Sequence, residues 1–352
     1  MKKLKIASLF SGGGGTDIGF AGGFDFLGKH YADNQIEIVY ANDIEDSANK
    51  MFEKNLKKAT LFAAKYGILM GFEKKSDETP SFDILTGGFP CQSFSVSAQN
   101  PKRLGIKDEK GTLFFEMVRV LKAHQPKAFF AENVKGILSA NNKEAFPLII
   151  EEFEKAGYNV SYKLCVATKY GVPQKRERVF IVGIRKDLNF TFEFPEEPIQ
   201  NVEDYTPLKV ILQQDIDEKY YFSERAVQGM LNSKSGKKMN KGRAQDIEQP
   251  SNTVSSHLAK VSLNSTDPVL LENGRYRRDT PREVARIQSF PENYELLGSE
   301  GAQYRMLGNA IPPVMMWYIA EKLVSDLRNS DVIAKQQKLE ESFGQLDLFE
   351  AS

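Results

Sequence analysis

Lys5-Ile6-Ala7-Ser8-Leu9-Phe10-Ser11-Gly12-Gly13-Gly14-Gly15 decides the fold. Lys5 to Phe10 reads as a short apolar strand that runs directly into glycines. Missing side chains there let the chain approach a ligand, and the helix start that follows offers amide donors and the positive end of a dipole. Further short apolar runs, Ile36 to Ala41, Phe82 to Leu85, Lys127 to Phe130 and Val179 to Gly183, alternate with amphipathic helical stretches up to about residue 200. That alternation predicts a doubly wound, mostly parallel α/β sheet with ligands at the carboxyl ends of its strands. From 201 to 301 the sequence turns polar and irregular with basic stretches, predicting a smaller lobe. A helical pattern resumes at Met315 to Leu327 and is expected to pack back on the first domain. The boundaries are thus 1–200, 201–301, 302–328 and 329–352, the last a polar, loosely ordered tail.

Three blocks near the expected sheet edge carry chemistry. In Asp83-Ile84-Leu85-Thr86-Gly87-Gly88-Phe89-Pro90-Cys91-Gln92-Ser93-Phe94-Ser95 a strand ends in a turn that presents a thiol. A lone cysteine is more often a small buried hydrophobe. Here two further blocks change the balance. Phe130-Ala131-Glu132-Asn133-Val134 brings a carboxyl group, and Gln174-Lys175-Arg176-Glu177-Arg178 brings two guanidinium groups, Arg176 and Arg178 sharing one face by strand alternation.

In this order the blocks resemble the C5-cytosine-specific DNA methyltransferases. The resemblance extends to Leu9-Phe10-Ser11-Gly12-Gly13-Gly14-Gly15 with Gly19-Phe20, to Thr280 through Pro291, and to Gly308-Asn309-Ala310-Ile311-Pro312-Pro313. It implies a Rossmann-like catalytic domain dependent on S-adenosylmethionine, with a target-recognition lobe. The family's cofactor site falls on Phe10, Ser11, Gly12, Gly13, Gly14, Gly15, Pro90, Leu113, Asn309 and Ala310. Asp43, after the second strand, is expected to accept hydrogen bonds from the ribose hydroxyls. Ile44 stands where the family usually has an aromatic, and the acid facing adenine is not readable between Ala59 and Asp77.

Cytosine carbon 5 is a poor nucleophile, so the implied chemistry begins with addition of a thiolate to carbon 6, a role that falls to Cys91. Glu132, with a raised pKa, is expected to donate to ring nitrogen 3. Asn133 is expected to brace the loop around it. Arg178 should bind the cytosine carbonyl oxygen and orient Glu132, and Arg176 should contact phosphate or brace the loop. An ion-pair network with Glu177 is the alternative for both arginines. No residue identifies itself as the base that removes the carbon 5 proton, leaving water as a candidate. The base must leave the duplex stack. Ser95, Ser97, Lys102, Arg103 and Lys110 lie in a stretch suited to a lid over DNA.

Sequence recognition is expected from the irregular lobe. Lys237, Lys238 and Arg243 lie in a basic run, Arg275 and Arg277 in a second cluster, and Thr253 in a Thr-Val pair resembling one in the family's recognition region. A solvated charge run is the alternative for the first cluster. The substrate expected is double-stranded DNA, with a cognate restriction endonuclease as a functional partner. Two alternatives stay open: the same chemistry on transfer RNA, and a non-catalytic DNA-binding relative.

The composition sets limits. The 352 residues are 41% hydrophobic and 27% charged, with Lys plus Arg equal to Asp plus Glu at 47 each. Global charge therefore gives no hint of nucleic acid, and local charge must. No apolar run is long enough to span a bilayer or form a secretory signal, so no membrane association and a cytoplasmic monomer are expected. With two cysteines, Cys91 and Cys165, neither a disulfide framework nor a metal site is expected, and Cys165 reads as structural. Gln345-Leu346-Asp347-Leu348-Phe349 resembles the short peptide by which bacterial replication and repair proteins dock on the sliding clamp. Chance composition or packing on its own domain is the alternative.

Overall fold

The computed structural model describes residues 3–56, 81–89, 113–232, 244–260 and 268–350. Its central sheet is built from β1 (Leu4–Leu9), β4 (Ile36–Asn42), β5 (Ile84–Gly87), β6 (Ala128–Val134), β7 (Tyr158–Val166) and β8 (Glu177–Arg185), in the order β4-β1-β5-β6-β8-β7. A small hairpin, β2 (Phe24–Phe26) with β3 (Lys29–Tyr31), stands apart from it. β4, β1, β5 and β6 are mutually parallel, whereas β8 runs antiparallel to both of its neighbours. The reversal follows from the connection: only 167–176 separate β7 from β8, too few residues for a crossover. β1 lies between β4 and β5, so the chain leaves it in opposite directions. A crevice at the carboxyl ends of the strands results.

Both faces of the sheet are covered, which is why its central strands read as unbroken apolar runs. Phe130 and Ile84 face one core cluster with α1 (Gly15–Ala21) and the C-terminal helix. Phe129 and Leu85 face the other, with α3 (Leu113–His124) and α4 (Ala145–Lys155). α2 (Asp46–Asn55) follows β4. α1 lies tight against the C-terminal helix: a Cβ on Gly19 would stand 2.5 Å from the Cβ of Met316 and 2.7 Å from the Pro313 carbonyl oxygen.

The 201–301 stretch holds α5 (Glu224–Asn232), a hairpin of β9 (Leu270–Glu272) and β10 (Arg275–Arg277), α6 (Pro281–Ile287) and the start of α7 (Glu300–Asn309). Leu208, Val254, Leu270, Val284 and Ile287 pack into the same core cluster as the C-terminal helix. That helix, α8, spans Pro313–Glu350. A loosely ordered tail was expected beyond Arg328, and the backbone is helical there instead. Asn329 to Glu350 contains no proline and only Gly344 among glycines, and it is rich in good helix formers. Among the described residues no helix is long and apolar enough to cross a membrane.

Candidate active site

A cavity of about 410 Å³ opens at the carboxyl ends of β1, β4, β5 and β6, within the range of small-molecule sites. It is continuous from the glycine loop to Glu132 and Arg178.

β1 ends at Leu9, and Phe10 turns the chain with a φ of 55°, strain that an ordinary L residue tolerates only where its surroundings enforce it. Gly12 continues the turn at φ 54°. Two bonds fix the loop: the Ser11 amide donates to Asn42 O at 2.9 Å, and the Gly12 amide donates to Asp43 Oδ2 at 2.9 Å. Asp43 Oδ1 accepts from the Glu45 amide at 2.9 Å. Burial holds the Asp43 carboxyl above its ordinary pKa, against the lowering effect of these bonds. Gly13 is held from the far side. The Tyr294 hydroxyl donates to its carbonyl at 2.6 Å, and a Cβ there would stand 2.4 Å from Met306 Sδ. Phe10, Ser11, Gly12, Gly13, Gly15, Asp43, Ile44, Leu113, Asn309 and Ala310 all line the cavity, Ile44 with 71% of its surface exposed. Gly14 caps α1 at φ 84° behind it.

At the other end stands the carboxyl group. Glu132 lies within β6, which continues to Val134, and its Oε1 is 2.7 Å from Arg178 Nε on the adjacent β8. Burial raises the Glu132 pKa, and the charges of Arg178 and then Arg176 act against that rise. A Cβ on Gly88 would stand 3.3 Å from Glu132 Oε2, so the glycine gives the carboxylate room. Asn133 is buried. Its Nδ2 donates to Phe89 O at 3.3 Å and its Oδ1 accepts from the Val134 amide at 2.9 Å, which ties β6 to the segment leading into Pro90.

One expected role narrows and another changes. Of the two roles expected of Arg176, its contacts fit the brace: it is 1% exposed and donates to Val254 O at 3.3 Å and Gly308 O at 3.0 Å, linking three segments. The Glu177 carboxylate pairs with Lys135 at 2.9 Å, and its backbone carbonyl accepts from Arg178 Nη1 at 2.8 Å. Arg277 was expected on DNA but is fully buried: Nη1 and Nη2 bind Glu283 at 2.8 and 2.9 Å, and Nε binds Glu272 at 2.8 Å. A basic cluster read as a surface patch thus contains a core ion pair. Arg275 is exposed, paired with Glu218 and stacked over Tyr221 at 4.2 Å. Thr253 donates to Lys175 O at 2.6 Å. Pro90, Cys91, Ser95, Ser97, Lys102, Arg103, Lys110, Lys237, Lys238 and Arg243 lie outside the described residues.

Several residues of the site went unread in the sequence. Ser8 and Thr86, paired in register on β1 and β5, form part of the cavity wall, and Arg305 of α7 lies at its mouth, 3.5 Å from Glu45. Gln174 and Gln288, buried between the catalytic strands and the later lobe, join at 2.8 Å, and Gln174 also accepts from the Val254 amide at 3.0 Å. Their signal was their place inside two of the family blocks. Tyr294 had none.

A family model for the C-5 cytosine-specific DNA methylase matches residues 4–325. Type II methyltransferase M.FnuDI of Fusobacterium nucleatum is 36% identical over 95% of this chain and 98% of the relative. Type II methyltransferase M.NgoPII of Neisseria gonorrhoeae is 32% identical over 92% and 96%. Among solved structures, the Entamoeba histolytica methyltransferase EhMeth superposes with a TM-score of 0.67 at 19% identity over 93% of this chain and 99% of that one. The S. pombe Dnmt2 methyltransferase gives 0.66 at 21% over 93% and 99%. Both support the fold. The chain belongs to the C-5 cytosine-specific DNA methylase family and is a DNA (cytosine-5-)-methyltransferase.

Proposed function

We propose that the enzyme transfers a methyl group from S-adenosylmethionine to carbon 5 of a flipped cytosine in specific double-stranded DNA sites, through a covalent adduct with Cys91. One observation carries this reading: the part-buried Glu132–Arg178 pair opens into the same cavity as the glycine loop, so a base and a methyl donor can meet there. The cofactor fits the residues present. Ser11 Oγ and Thr86 Oγ1 line the cavity, buried and without hydrogen-bond partners, and Asp43 has lone pairs left beyond its two amide bonds. When bound, the cofactor supplies an electrophilic methyl group. Glu132 holds a proton for ring nitrogen 3, Arg178 fixes its orientation, and Asn133 and Gly88 shape its surroundings. Ser95, Ser97, Lys102, Arg103, Lys110, Lys237, Lys238, Arg243, Thr253 and Arg275 are assigned to DNA. The names of the relatives support a modification enzyme of the Type II kind. Incorporation of labelled methyl into DNA but not RNA, followed by bisulfite sequencing of DNA from expressing cells, tests it. Label in RNA alone would overturn it.

Glu132→Gln separates binding from activation. An amide keeps the size of the side chain but cannot pass a proton to ring nitrogen 3. We expect methylation to fall about 10²- to 10⁴-fold with DNA and cofactor affinities within a few-fold of wild type. A loss confined to DNA affinity would reassign the residue.

The Gln345–Phe349 motif supports clamp docking as a second proposal. Its place at the end of α8 means that only terminal turns would unwind to bind, a small cost because helix ends fray. In the full chain, Leu348→Ala with Phe349→Ala is expected to remove saturable binding to a purified bacterial clamp while methylation of short oligonucleotides is unchanged. No binding by the wild-type enzyme at high micromolar clamp ends the proposal.

A further inference from the structure

We propose that the Asp17 carboxylate is the counter-charge for the α-ammonium group of the methyl donor, acting across the hydroxyl-bearing cavity wall at the carboxyl ends of β1 and β5. The inference rests on the S-adenosylmethionine reading above. Asp17 lies in the first turn of α1, just past the glycine loop, and is 1% exposed. Neither of its carboxylate oxygens has a well-formed hydrogen bond; among the described residues only the Ser8 hydroxyl and its own backbone amide act on it as donors. Buried acids are normally paired, because an ionised carboxylate loses its water at great cost. Among the described residues no cationic side chain acts on it. Burial pushes the pKa up to about 7, Ser8 lowers it somewhat, and no charged side chain contributes. The missing positive charge has to come from a ligand, or a large fraction of the group stays protonated near neutral pH.

The surroundings indicate which ligand. Ser8, whose hydroxyl influences Asp17, lines the cavity, as do Thr16, Ser11 and Thr86. Ser8 sits opposite Thr86 in the β1–β5 register. Ser11 Oγ and Thr86 Oγ1 are also buried and unpartnered, and both line the cavity. Asp17 itself is not part of the lining and therefore acts through the wall as a positioning residue. The methyl donor carries two cationic groups. Its sulfonium must lie toward Glu132, where the base is held, which leaves the ammonium for the glycine-loop end. An electrostatic interaction across one layer of side chains, in a site shielded from bulk water, is worth roughly a 10- to 100-fold change in affinity.

Equilibrium binding tests this without turnover. Asp17→Asn should weaken S-adenosylmethionine and S-adenosylhomocysteine by the same factor, about 10-fold or more. A deaminated S-adenosylhomocysteine should bind the variant and the wild type equally. The homocysteine ligand lacks the sulfonium charge but keeps the ammonium, so weakening of S-adenosylmethionine alone would overturn the proposal. Unchanged affinities, or an equal loss for the deaminated ligand, would also overturn it and leave Asp17 a structural residue. Should Asp17→Asn fail to fold, the wild type provides the test. Its Asp17 carboxyl carbon resonance should move to the ionised position at pH 7 on addition of S-adenosylhomocysteine and not on addition of the deaminated ligand; a static signal overturns the assignment. If the wild type binds neither natural ligand, the cofactor reading falls and takes this one with it. Binding by the wild type without an Asp17 effect sinks this proposal alone.

Discussion

Cys91→Ser is expected to reduce methylation by about 10⁴-fold or more while leaving cofactor binding near its wild-type value. The argument is chemical. Carbon 5 gains enough electron density to take a methyl group only when a strong nucleophile occupies carbon 6, and a serine hydroxyl at neutral pH is a far weaker one than a thiolate. The second thiol offers no substitute: Cys165 is fully buried on β7, its Sγ lies 3.6 Å from the Tyr170 hydroxyl, and burial pushes its pKa up to about 11. A duplex carrying 5-fluorocytosine should trap the wild type covalently, because fluorine cannot leave as a proton does. Cys91→Ser should not be trapped. Covalent capture of the variant at the wild-type rate would move the nucleophile elsewhere.

The parts legible in the sequence were those fixed by local pattern. Buried parallel strands announce themselves as apolar runs, and the strands read at Lys5, Ile36, Phe82, Lys127 and Val179 correspond to β1, β4, β5, β6 and β8 with ends shifted by a few residues. β7 went unread. Its Tyr158-Asn159-Val160-Ser161-Tyr162-Lys163-Leu164-Cys165-Val166 alternates apolar and polar residues, as an edge strand with partly exposed faces does. The antiparallel insertion of β8 between β6 and β7 is a matter of pairing that no single segment encodes. The same limit applies to the site. Glu132 and Arg178 could be named from two blocks, but their 2.7 Å contact depends on the register of β6 against β8. Asp17 escaped notice because an acid in the first turn of a helix is ordinarily a solvated residue favoured by the dipole. Only the packing of α1 against the C-terminal helix and the sheet shows that it is buried.

Arg277 shows how composition misleads in the opposite direction, and it yields the largest expected effect on stability. In Arg275-Tyr276-Arg277-Arg278 the charges alone suggest a grip on phosphate, yet Arg277 is buried against Glu283 of α6 while Arg275, two residues earlier on the same side of the strand, stays exposed. Its guanidinium meets both oxygens of Glu283, which also accept from the Thr280 amide at 2.8 Å and the Gln213 amide at 3.0 Å. Thr280 returns the bond as the cap of α6, so one buried network fixes β10, the start of α6 and the segment before α5. Removing one member of such a pair strands the other charge in the core. Arg277→Ala is therefore expected to lower unfolding stability by about 3–5 kcal/mol, measured by denaturant titration. Arg277→Met with Glu283→Gln should cost less, since neither variant side chain leaves a buried charge. Because Arg277 cannot touch DNA from this position, the salt dependence of binding by the folded variant should keep its wild-type slope. A phosphate contact would instead reduce that slope by roughly one. A slope reduced by roughly one without loss of stability would put Arg277 back on the DNA.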